Sequence, residues 1–161
     1  MDIRLKPIVQ YFTLSEHFFR NSLKDLNSAE LLKSPAKQSN CMFWIAGHAT
    51  SSRCQFLNML GKKIEMPSAQ LFARGAGKLD DASKIPGIDE ILKVWDECTQ
   101  ALKERLETIT QPELDEKSPI NLPSDDRSIL GALNFFAFHE TYHIGQMAYI
   151  YSWLGKGQLV G

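Results

Sequence analysis

Cysteine is scarce in this chain: there are three, Cys41, Cys54 and Cys98, and no two of them form a C-x-x-C pair. An odd count without ribbon spacing excludes a fully paired disulfide framework and a zinc ribbon as what holds the fold together, and this usage fits a reducing compartment. An excess of charge of one sign is also missing. The 18 basic and 19 acidic residues leave a formal net charge of −1, and the densest basic pairing is Lys62-Lys63. A surface that wraps a phosphate backbone needs a basic stripe, so no nucleic-acid partner is expected. Long apolar runs are absent too: none approaches the roughly 18 residues of a membrane span, and Met1 to Pro7 lacks the apolar run of a signal peptide. No membrane partner is expected either. Alternating β-branched runs and internal repeats, finally, are not found, which removes the signal for strands.

What is present reads as helix. At 161 residues the chain has the length of one domain, expected to span 1–161, and a domain of this size buries enough surface to fold without staples. From about Ile8 to Leu26 the apolar residues Ile8, Val9, Phe12, Phe19, Leu23 and Leu26 recur at helical spacing. Asn27-Ser28 and Ser34-Pro35 end that stretch, with a short helical piece around Ala29 to Lys33. A second helix begins near Ser39 or Asn40 and runs to Leu60, where Gly61 suits its C-terminal cap. Lys62 to Pro86 shows no sustained period, and so reads as a long connection of the kind that lets a bundle cross over. A third helix covers Ile88 to Thr108, with Asp89 and Glu90 at its positive end. After a loop broken by Pro112, Pro119 and Pro123, a fourth starts near Ser124 to Ser128 and continues to Trp153; it is apolar over much of its circumference and is expected to be the most buried. The fold class is all-α.

Histidine is rare, and its placement is informative. Two of the four occur as His139-Glu140-Thr141-Tyr142-His143. Residues four apart share one helix face, so both imidazoles can converge on one cation. The H-E-x-x-H pattern invites a zinc-protease reading, but those enzymes take a third ligand from downstream, and nothing after His143 is His, Asp or Glu. A third ligand has to come from upstream, and His48 is the candidate. It lies in the apolar stretch Met42 to Ala49, where a polar side chain is costly unless satisfied. Gly47 and Ala49 beside it leave room for a neighbouring helix to approach. Three imidazoles from two helices leave at least one coordination position open, as catalytic metal sites do. The competing reading is three buried imidazoles, each hydrogen-bonded to its own partner.

The ending His139-Glu-Thr-Tyr-His143-Ile-Gly145-Gln146, preceded by Trp44-x-x-Gly47-His48, resembles the DinB/YfiT-like family of metal-dependent bacterial proteins, over nearly the whole chain. The resemblance implies an up-down-down-up four-helix bundle with a long connection between the second and third helices. It also implies a homodimer, a cytoplasmic location, and a metal held by His48, His139 and His143. Some relatives are S-transferases or isomerases that work with low-molecular-weight thiols, which implies a small-molecule substrate and a thiol as a second cofactor. The alternatives are a metal or small-molecule binder without turnover, a structural helical dimer, and a hydrolase that uses Glu140 as base. Three imidazoles suit Zn²⁺, Ni²⁺, Fe²⁺, Co²⁺ or Mn²⁺.

Around that centre, Glu140 falls about 80° from the midpoint of the two histidines at 3.6 residues per turn. It either orients or deprotonates a bound ligand, or pairs with another helix or subunit. Gln146 follows His139 by two turns and is placed to hydrogen-bond an imidazole N–H. Gly145 is read as a point where two helices close up, and Tyr142 as a packed aromatic. Cys41 is about 10 Å from His48 along a helix, too far to share its metal. Cys54 and Cys98 read as small core residues, His17 as surface or pocket rim, and Trp44, Trp95 and Trp153 as core or dimer contacts.

Overall fold

The computed structural model describes residues 1–77, 79 and 85–159. Helix α1 spans Lys6–Leu23, α2 Ser28–Leu31, α3 Met42–Met59, α4 Ile88–Thr108, α5 Gln111–Asp115 and α6 Ile129–Trp153. Short 3-10 turns cover Ile3–Leu5 and Ala69–Phe72. Among the described residues there is no strand, only an isolated bridge between Lys117 and Ser128. The expectation of an all-α bundle of four long helices is met by α1, α3, α4 and α6. The first helix ends three residues sooner than its apolar pattern suggests, and Lys78 and Asp80 to Lys84 of the long connection lie outside the described residues.

The caps follow local chemistry. Ser128 accepts a hydrogen bond from the Gly131 N–H to start α6. Asn27 with Glu30, and Thr110 with Glu113, form reciprocal capping boxes on α2 and α5. Gly61, at φ +80°, takes the left-handed conformation just past α3 that a side chain would resist.

Helix directions follow from which residues meet. One apolar cluster gathers Ile8 of α1, Leu57 of α3, Leu106 of α4 and Leu133 of α6; a second gathers Phe19, Met42, Ile91 and Met147 of the same helices. α1 and α6 therefore run from the first cluster to the second, and α3 and α4 run back, which is up-down-down-up. α1 is tied to α4 by the Lys103–Glu16 pair at 3.1 Å and by the Arg20–Asp96 pair. Beneath these, the Phe19 and Trp95 rings stack at 3.7 Å between centroids.

Between the two clusters lies a buried polar layer. Arg53 on α3 donates through Nε and Nη2 to the two carboxylate oxygens of Glu140 on α6, at 2.9 and 2.6 Å. Its Nη1 donates to Thr99 of α4, and its guanidinium lies 3.6 Å from the centroid of Trp95. Both partners are essentially inaccessible, at 1% and 2% exposure. A fully hydrogen-bonded arrangement is what lets two charges survive in such a place.

Candidate metal centre

His48, His139 and His143 come together as the two helices α3 and α6 pass each other. One ring nitrogen from each lies within 4.8 Å of the other two. The Nδ1 of His48 is 2.8 Å from the carbonyl oxygen of Phe72. A carbonyl only accepts, so that nitrogen carries the proton and Nε2 keeps its lone pair. The Phe72 carbonyl reaches His48 because the Phe72 ring is buried directly on Gly47: a Cβ at that position would meet the ring at 2.2 Å. Gly47 thus admits the connecting segment rather than a neighbouring helix.

His143 is oriented the same way. Its Nδ1 lies 2.8 Å from Gln146 Oε1, while Gln146 Nε2 donates to the Tyr142 hydroxyl at 3.2 Å. This is the imidazole partner that the position of Gln146 suggested. The Nε2 atoms of His139 and His143 then face each other at 3.2 Å. Two such nitrogens need a proton or a cation between them. Bound tetrahedrally to zinc at 2.0–2.1 Å, two imidazole nitrogens stand about 3.3 Å apart, so the spacing and the neutral donors both fit a divalent ion. His139 Nδ1 is buried without a hydrogen-bond partner.

Electrostatics favour the ligand state. Burial lowers the pKa of His139 to about 4, aided by the neighbouring His143, His48 and Arg74. Burial also takes His143 to about 4 against the opposing pull of Gln146, and lowers His48, partly offset by the Phe72 carbonyl. All three are therefore neutral at pH 7, as metal ligation requires.

The rings open on a pocket of about 710 Å³. Trp44, stacked parallel to His48 at 4.7 Å, lines it together with Phe135, Phe138 and Tyr142, and Lys37 and Arg74 are also among the lining residues. No carboxylate lines it among the described residues. Glu140 is not at the pocket, since its carboxylate is turned to Arg53 inside the bundle. One side chain differs from the sequence reading: Tyr142 is 56% exposed and reaches the pocket, while Trp44 packs against the core and also walls the site. Cys41 borders the same pocket. His17 lies away from it, exposed and bonded to Asn21.

Arg53 was missed, although a signal existed. It is the only Lys, Arg, Asp or Glu in α3, as Glu140 is in α6. Two lone opposite charges on apolar helices imply each other.

The fold has a solved counterpart in the crystal structure of a conserved protein from Enterococcus faecalis. The TM-score is 0.72 at 14% identity, covering 94% of this chain and 96% of that one. No curated protein matches the sequence. The DinB superfamily profile matches residues 11–147, a span that holds all three histidines and both members of the buried ion pair, and the chain belongs to the DinB superfamily.

Proposed function

We propose that this protein is a metal-dependent transferase in which His48, His139 and His143 hold one divalent cation and a small thiol is passed to an electrophilic substrate. The observation that carries the reading is the convergence of three neutral imidazoles at the wall of a pocket with no lining carboxylate among the described residues. A cation held there lowers the pKa of a thiol or water ligand into the neutral range. A thiol, with its ordinary pKa near 8.5, starts far closer to neutrality than water at about 15.7, and the hydrolase reading is the one that assigns a base, Glu140. With both Glu140 oxygens held by Arg53, the chain offers the thiol route and withholds the carboxylate that the other route would use.

The remaining residues have positioning work. The Phe72 carbonyl and Gln146 fix the two ring orientations. Trp44 keeps one side of His48 dry, and Lys37 and Arg74 supply the positive charge that would hold an anionic group on thiol or substrate. Untagged protein loaded with Zn²⁺ or Mn²⁺ and offered several thiols with monochlorobimane should form the conjugate, and chelation should stop it. Conjugation that is the same after chelation, or none with any thiol, would overturn the reading.

A further inference from the structure

The seam between α1 and α4 holds a second cavity, which shares no lining residue with the histidine pocket. α1 packs chiefly on α6 and α4 chiefly on α3, so these two neighbours meet mainly through side chains. The stacked Phe19 and Trp95 rings close the seam in one direction. Farther along it opens into about 230 Å³ walled by Phe12, Leu102 and Leu106. Exposed or half-buried Glu16, Lys103 and Glu107 form its rim, and buried Arg53 and Thr99 form its inner end.

The Arg53 guanidinium is short of acceptors there. Such a group carries five N–H bonds. Nε and Nη2 each give one to Glu140, and Nη1 gives one to Thr99, whose own hydroxyl proton goes to the Trp95 carbonyl. One N–H on each terminal nitrogen is left over, with no further acceptor among the described residues. Trp95 covers one face of the group at 3.6 Å, and the side chain is only 1% exposed, so bulk water does not serve these donors. Buried donors without acceptors are costly. An oxygen that arrives through the cavity relieves that cost.

The surroundings select the charge and size of its carrier. Each cationic side chain that lines the cavity already has a carboxylate: Glu140 for Arg53, and Glu16 for Lys103 at 3.1 Å. No lining side-chain cation among the described residues is left for an anionic ligand, and Glu107 repels one. A cationic ligand offers the guanidinium no acceptor. A neutral carbonyl meets neither penalty. A cavity of about 150 Å³ admits benzene, so by proportion this one takes about nine non-hydrogen atoms. We propose that the α1–α4 cavity is a binding site for a small neutral ketone, amide or ester, whose apolar body lies against Phe12, Leu102 and Leu106 and whose carbonyl oxygen accepts from Arg53.

Metal-free protein in chelator, titrated with acetophenone and followed by proton–nitrogen correlation NMR, tests this without involving the metal centre. The amides of Thr13, Thr99 and Leu102 should shift saturably, with Kd on the order of 1 mM or below, while those of His139 and His143 stay in place. Isopropylbenzene, which lacks the acceptor, and benzoate, which is charged, have nearly the same shape and should each bind about 10-fold more weakly or worse. Thr13→Trp sets an indole at the exposed rim and should weaken acetophenone by about 10-fold as well, with unchanged circular dichroism. The Arg53→Met/Glu140→Gln double variant should bind acetophenone and isopropylbenzene alike; if it does not fold, the three ligands on the wild-type chain decide the matter alone. Absence of saturable shifts overturns the proposal, as do equal affinities of the wild type for acetophenone and isopropylbenzene, tighter binding of benzoate, indifference to Thr13→Trp, or shifts centred on the histidine pocket.

Discussion

Glu140 follows His139 directly in the chain, yet its carboxylate is held inside the bundle by Arg53, 87 residues distant in sequence. One residue, about 100° of helix rotation, separates a ring that faces a pocket from a carboxylate that faces the core. The adjacency in sequence suggests joint chemistry, and the helix geometry separates the two.

Removing one member of this pair should be costly. Arg53→Met or Glu140→Gln alone leaves a buried charge without its partner, and each is expected to lower unfolding free energy by about 3–5 kcal/mol. The double replacement should recover much of that loss. Urea unfolding of the three variants checks both statements. Glu140→Gln that folds should keep its metal content, because no histidine nitrogen bonds to Glu140.

Metal content should follow the histidines. Wild-type protein in metal-replete buffer is expected to carry about one divalent ion per chain, and His48→Ala or His143→Ala close to none, by elemental analysis of untagged protein. Saturation at about 100 times Kd should add about 2.7 kcal/mol of stability, read as a rise in Tm that chelation reverses.

Acid should destabilise the metal-free protein over a defined window. His139 and His143 titrate at about 4 in the fold against 6.5 for the unperturbed side chain. Between those values the unfolded chain binds more protons than the native one, so stability rises with pH there. It is fully present above pH 6.5 and lost progressively as pH falls towards 4. Unfolding midpoints from pH 7 to 4 should show this fall, and His139→Ala/His143→Ala should flatten it.

Gly47→Ala probes how His48 is held. The added methyl runs into the buried Phe72 ring, at an expected cost of about 1–3 kcal/mol. Because the Phe72 carbonyl sets the His48 tautomer, metal affinity should fall along with stability. Thermal unfolding and a competitive metal titration check the two effects separately.

Much of the site was legible in the sequence. His139 and His143 are local: four residues apart on a helix, they must share a face whatever surrounds them. The same holds for Gln146, one turn from His143. His48 could be named as a third ligand because it is a polar residue in an apolar helix, but its partner, the Phe72 carbonyl, lies in a connection with no periodic signal and could not. Tyr142 was misplaced because spacing shows which side of a helix a ring is on and not whether another element covers that side.

Local periodicity was sufficient to determine the four long helices, their order and the two-histidine face of α6, because each depends on residues within a turn or two. Tertiary structure alone decided that Gly47 seats the Phe72 ring and that the Phe72 carbonyl holds His48. Each of those depends on where a distant backbone passes, and in a bundle that is settled by how whole helix faces pack together.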